Sequence, residues 1–180
     1  MKRIVAVSLF TFCLFLRACS SNDQVADELI DYYNNDWQAL QEMKQEKIGT
    51  KRDDLYSFDK IENPEEGLDY LENEVLPELD AIMEYLKEIK PKTKEVRELH
   101  QLQIDAEEFG YQMILEDGNA YYHNEITDEE IWNNVDKLKD LYDEFAKRRN
   151  ELMEKYDIVF EEGTNENGEP IQVMKRAKDN

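Results

Sequence analysis

The two histidines and the glutamates around them are the first residues to test for chemistry, because a carboxylate-bridged iron or manganese centre in a helical protein needs Glu-x-x-His on two helices with further Glu facing inward. Arg97 stands three residues before His100 and Ala120 three before His123, so neither completes the motif. His100 adjoins Leu99 and reads as a boundary residue of a helical stripe, and His123, after Tyr121-Tyr122, falls in a link between elements. A calcium loop fails as well: with Gly168 at the central glycine, Gly163 occupies the place of the first acid, and Asn165 to Gly168 reads as a turn. The serines outside the N-terminal segment are Ser20, Ser21 and Ser57, none in a Gly-x-Ser-x-Gly frame or beside a histidine, and phosphate-cradling glycine loops are missing. The site inventory therefore predicts no enzyme, no metal centre and no cofactor.

Two groups of residues remain. Between Ile61 and Leu86 lie nine acids, Glu62, Glu65, Glu66, Asp69, Glu72, Glu74, Glu78, Asp80 and Glu84, with no Lys or Arg among them. Such a one-signed helix face is either a solvated surface or a dock for a basic partner or cations. The aromatics Tyr32, Tyr33, Trp37, Tyr121, Tyr122 and Trp132 could form a platform for a sugar or a protein, but Tyr33, Trp37 and Trp132 fit apolar stripes and read as packing.

The N-terminus carries a different chemistry. Met1-Lys2-Arg3 is followed by a run from Ile4 to Leu16 broken only by Ser8 and Thr11, and then by Leu16-Arg17-Ala18-Cys19. This is the layout of a secretion signal, too short for a spanning helix, which needs about 20 apolar residues. Leu-x-Ala-Cys resembles the lipobox of bacterial lipoproteins, with Arg17 where a small or apolar residue is usual. The resemblance implies diacylglycerol on the Cys19 sulfur and cleavage before it. Residues 1–18 are then a signal peptide and 19–22 a lipidated N-terminus with a short linker. Cys13 leaves with the signal, so the exported chain keeps no thiol for a disulfide or a metal.

Charge narrows the partners. The formal net charge is −21, and removing residues 1–18 takes away Lys2, Arg3 and Arg17 and no acid, which brings it to −24. A polyanion repels nucleic acid and anionic polymers; it favours basic proteins, cations or neutral glycans.

These residues must be positioned by helices. Val25, Leu29, Tyr33, Trp37, Leu40 and Ile48 recur at helical spacing and predict a helix over about 23–48. A connector, 51–63, follows with Leu55, Phe58 and Ile61 turned inward, and Asn63-Pro64-Glu65-Glu66 reads as a helix start. Leu68, Leu71, Val75, Leu79, Ile82, Leu86 and Ile89 form the clearest stripe, which Pro77 should kink or split. A third stripe runs through Val96, Leu99, Leu102, Ala106, Phe109 and Met113 to a stop at Asp117-Gly118-Asn119. The fourth opens with Thr127-Asp128-Glu129-Glu130, a capping box, and continues through Ile131, Val135, Leu138, Tyr142, Phe145, Leu152 and Tyr156.

The fold class predicted is all-α, an antiparallel bundle of three to four long amphipathic helices over 23–157, with 158–180 either a small hairpin around Asn167-Gly168 or a disordered tail. The signal end together with the style of Leu79 to Leu115, including the turn Ile89-Lys90-Pro91-Lys92-Thr93, resembles the small helical lipoproteins of Firmicutes, among them those described as cell-wall-binding. That resemblance implies an envelope-associated binding or structural role. The function expected is a non-enzymatic domain on the extracytoplasmic face of the cell membrane, tethered to the bilayer through Cys19, that binds a basic envelope or secreted protein. The alternative is a ligand- or cation-binding domain for a neutral wall fragment or divalent cations.

Overall fold

The computed structural model describes residues 22–51, 63–123, 125–165 and 168–177. Cys19, the signal-like segment, Glu62 and the connector residues Leu55, Phe58 and Ile61 lie outside the described residues. Four helices and one antiparallel hairpin make up the described part. Helix α1 covers 22–47, α2 covers 64–88, α3 is Lys94–Tyr122 and α4 is Asp128–Lys155; strands β1, Ile158–Thr164, and β2, Pro170–Arg176, follow.

The helix ends obey local chemistry. Asn63 Oδ1 accepts from the backbone N–H of Glu66, with Pro64 in the first turn where its missing N–H costs nothing. At α4 the capping box is complete: Thr127 Oγ1 accepts from the Glu130 N–H, and the Glu130 carboxylate accepts from the Thr127 N–H. The start of α3 borrows its cap from another helix, since the Glu28 carboxylate on α1 accepts from the backbone N–H groups of Lys92 and Thr93. Burial alone would raise the pKa of Glu28, but the hydrogen bonds from Thr93 and Lys92 carry it below its usual range.

Pro77 does not split α2. The helical run is unbroken from 64 to 88, with a π-helical turn at Leu71–Val75 just before the proline. A proline clashes with the carbonyl four residues back, here Asn73, and the wider π turn holds that carbonyl within a looser ring. Likewise α3 does not stop at Asp117-Gly118-Asn119 but continues to Tyr122. Asp117 and Gly118 are buried, and packing overrides the local breaker signal.

Pairs of contacts establish the direction of each helix. Lys47 of α1 meets Glu78 of α2, while Asp36, earlier in α1, meets Tyr85, later in α2. Gly67 lies against Tyr122 and Leu86 against His100, so α2 and α3 are antiparallel. Glu98 with Arg148, Glu107 with Tyr142, and Asp117 with Asn134 make α3 and α4 antiparallel. The helices thus alternate up and down, and the links from α2 to α3 and from α3 to α4 are short, as expected for antiparallel neighbours.

Two apolar clusters fill the interior. One joins Leu29 and Tyr33 of α1, Val96 and Leu99 of α3, Phe145 and Leu152 of α4, and the hairpin's Ile158 and Met174. The other joins Leu40, the α2 stripe from Leu71 to Leu86, Ile114 and Tyr122. Each fully buried Leu removes enough surface from water to contribute about 1.5–3 kcal/mol. Gly67 permits the closest approach: a Cβ there would stand 2.1 Å from the Tyr122 ring.

The C-terminal segment is a hairpin. Its strands pair in the register Ile158↔Arg176 to Thr164↔Pro170, closed by a turn in which Gly168 has φ +80°. A lone hairpin is marginal in water, and α1 supplies what it lacks. The Asn34 amide donates to the Met174 carbonyl at 2.9 Å and accepts from the Met174 N–H at 2.7 Å, which satisfies an edge of β2. Arg176 closes the corner on Asp23 and Asp27. Among the described residues no helix is long and apolar enough to cross a membrane.

Candidate functional site

The acids of α2 fall into two groups. Glu74 and Glu78 are held by the last residue of α1 and by Lys51 just after it: Lys47 reaches Glu78 at 2.6 Å, and Lys51 reaches Glu78 at 3.2 Å and Glu74 at 3.5 Å. Hydrogen bonds from Lys47 and Lys51 hold the Glu78 carboxyl below its ordinary pKa. Asp69 accepts from Asn73, and Asp80 from the Tyr111 hydroxyl of α3. Glu65, Glu66, Asp69, Glu72, Asp80 and Glu84 are all exposed. No ion pair among the described residues reaches Glu65, Glu72 or Glu84. The helix therefore spends two carboxylates on the seam with α1 and presents the rest outward.

A second acidic feature is a cleft of about 660 Å³ where α1 passes the link between α2 and α3. Asp27, Asp31 and Asp36 line one side and Glu88 the other, with Tyr32 and Ile89 among its walls and Lys90 and Lys92 also lining it. Burial, and then the charge of Asp31, raise the pKa of Asp36. Among the described residues, no group of three or more His, Cys, Asp or Glu is arranged to hold a metal ion.

The aromatics do not assemble into one platform. Tyr33 stacks on Trp37 at 4.5 Å, and Tyr32 packs edge-on to His100, whereas Tyr121 and Tyr122 pair in the other cluster. Trp132, expected in the core stripe of α4, is 67% exposed. Ile131, Val135 and Leu138 beside it are only half-buried, so the stripe is fully used in the second half of α4, from Phe145 onward.

The sequence reading found only part of the interior of α3. Of its stripe, Val96, Leu99 and Ala106 are buried, while Leu102, Phe109 and Met113 are half-buried; the buried face also carries His100, Gln103, Glu107, Ile114 and Asp117. Val96, His100, Gln103 and Glu107 are spaced four, three and four apart, the period of a packed helical seam. Scanning that period without regard to polarity would have found them. His100, read as a boundary residue, is 5% exposed.

His100, Glu107 and Asp117 have partners on other helices, and Gln103 donates to Glu107 within α3. His100 lies between the Tyr32 hydroxyl at 3.2 Å and the Leu86 carbonyl at 3.1 Å. Because Nε2–H donates to that carbonyl, Nδ1 accepts from Tyr32 in the neutral ring. Burial lowers the His100 pKa, with the Leu86 bond opposing and Lys90 adding to the effect. The Glu107 Oε1 accepts from Lys44 Nζ at 2.5 Å, Gln103 Nε2 at 2.7 Å and the Tyr142 hydroxyl at 2.9 Å. Asp117 accepts from Asn134 through both oxygens. The bundle is thus pinned by hydrogen bonds that join all four helices between the two apolar clusters.

Compared with protein-family models, with curated proteins and with solved structures, the chain gives no significant match to any of them.

Proposed function

We propose that this protein is an extracytoplasmic lipoprotein, held to the membrane by a lipidated Cys19, whose acidic bundle binds a basic protein of the cell envelope without catalysing a reaction. The likeness of residues 1–19 to a lipoprotein signal supports the tether. The binding reading is carried by one observation: Glu65, Glu72 and Glu84 stand exposed on α2 with no ion pair among the described residues, while the neighbouring Glu74 and Glu78 are paired with Lys47 and Lys51. Exposed, like-signed charge of this kind steers and orients an oppositely charged partner and is screened beyond about 8 Å at physiological salt. The second reading, binding of a neutral wall fragment or a cation, is favoured by the 660 Å³ cleft, whose size falls in the range of small-ligand sites.

The test compares the full chain with Cys19→Ser and with Glu65→Gln/Glu72→Gln/Glu84→Gln in a bacterial host. The tether reading expects the Cys19→Ser protein to leave the membrane fraction; retention there would overturn it. The binding reading expects a basic envelope protein to be captured at low salt, released at roughly 0.5 M NaCl, where screening is strong, and lost from the triple variant. Undiminished capture by that variant would remove α2 as the docking face.

A further inference from the structure

The end of the bundle nearest Cys19 differs in charge from the rest of the molecule. Residues 87–97, which close α2, form the link and open α3, hold Lys87, Lys90, Lys92, Lys94 and Arg97, all exposed. The link sits beside the start of α1, because the Glu28 carboxylate accepts from the Lys92 and Thr93 N–H groups. From Cys19 to the first residue of α1, 22, there are three residue steps, at most about 11 Å of chain. Lys94 has one loose ion pair, 3.4 Å to Glu98, and the other four cations have none among the described residues. Lys90 and Arg97 donate to the backbone carbonyls of Lys87 and Lys92 and keep their charge. The acids at this end are mostly engaged: Asp23 and Asp27 by Arg176, Glu28 by the link, and Glu95 by Lys155 and the Tyr156 hydroxyl. Asp157 has a partner as well. Glu88 and Glu154 stay exposed without an ion pair among the described residues, two acids against five cations. The cleft acids Asp31 and Asp36 lie farther along α1, roughly 13 and 21 Å from residue 22 at about 1.5 Å per residue.

We propose that this end of the bundle, through Lys87, Lys90, Lys92, Lys94 and Arg97, rests on the anionic headgroups of the bilayer that holds the Cys19 lipid, so that the bundle stands with the start of α2 pointing away from the membrane. The inference rests on the lipidated Cys19 proposed above. A net charge of −21 does not forbid the contact. Salt screens charges beyond about 8 Å, whereas α2, residues 64–88, is roughly 37 Å long. The headgroups therefore meet the five cations of the near end and not the acids of the far end, and basic side chains close to an anionic surface are drawn to it. The short tether holds those cations within range, so the free domain needs no membrane affinity of its own. Glu65 and Glu72, near the far end of α2, are left clear of the headgroups and open to a basic partner.

The test places the mature lipoprotein, purified from a bacterial host, in nanodiscs of phosphatidylcholine alone or with about 30% phosphatidylglycerol as the anionic lipid. A small share of gadolinium-labelled headgroups in each disc broadens the NMR signals of nearby backbone amides. The expected result is broadening at residues 87–97 about threefold stronger with phosphatidylglycerol than without, little broadening at residues 129–135 at the far end, and loss of the difference at roughly 0.5 M NaCl. Lys87→Gln/Lys90→Gln/Lys92→Gln/Lys94→Gln should keep the parent's circular dichroism, because the four side chains are exposed, and should lose the difference as well. Equal broadening in the two discs, or broadening at 129–135 that matches 87–97, would overturn the proposal and leave the tether standing. A purified chain whose mass shows no diacylglycerol would overturn the tether reading, and the proposal with it.

Discussion

Replacing Lys44 by Met removes the one cation that meets the buried Glu107. Breaking a fully buried pair costs about 3–5 kcal/mol because a charge is left without compensation. Here two facts reduce that figure: the Lys44 side chain is 27% exposed, and Gln103 and Tyr142 still donate to the same oxygen. The net expectation is a loss of about 2 kcal/mol, which for a chain of this size lowers Tm by roughly 4–8 °C. Glu107→Gln should cost less, about 1 kcal/mol, since the freed ammonium can reach water while a buried carboxylate cannot. The double variant restores neutrality and should therefore be less destabilised than the sum, by about 1–2 kcal/mol. Urea unfolding followed by circular dichroism measures all three differences, provided the denaturant slopes agree. The same cycle on the exposed pair Lys139 and Asp143 should give a much smaller coupling, because solvent and salt screen both charges. If the Lys44 and Glu107 substitutions add within about 0.5 kcal/mol, the polar seam does not couple the helices and the reasoning fails.

Two further outcomes follow from the interior. Because the folded pKa of His100 is depressed, the unfolded chain binds the proton more readily, so this residue's contribution is intact above about pH 6.5 and is lost as pH falls below it. The stability difference between the parent and His100→Asn should therefore shrink on acidification, with a slope of at most about 1.4 kcal/mol per pH unit; a difference independent of pH between 5 and 7.5 would contradict it. Gly67→Ala drives a methyl group into the Tyr122 ring and should lower stability by about 1–3 kcal/mol, and Tyr122→Ala in the same chain should leave the alanine no further penalty; a Gly67→Ala protein as stable as the parent would show that the two helices are not in contact there.

The sequence by itself was enough to predict a bundle of three to four helices and most of their ends, and the structure has four. Thr127 and Glu130, Asn63 and Pro64 are local signals whose hydrogen bonds close within one turn, so no tertiary information is needed to read them. The α2 stripe from Leu71 to Leu86 was legible for the same reason: one period, one apolar face. Where several elements had to agree, the tertiary structure decided. Leu102 and Phe109 marked the apolar side of α3, yet the seam turned inward carries His100 and Glu107, because Tyr32, Lys44 and Tyr142 on other helices satisfy them, and Gln103, which donates to that same Glu107. Polar residues are acceptable inside only when partners distant in sequence arrive, and periodicity along one helix holds no record of those partners. The hairpin was undecided for a similar reason, since its ordering depends on Asn34, 140 residues away from Met174. Trp132 gives the converse case: its place in the stripe of α4 was readable, but burial requires a neighbour, and the described helices put none over it.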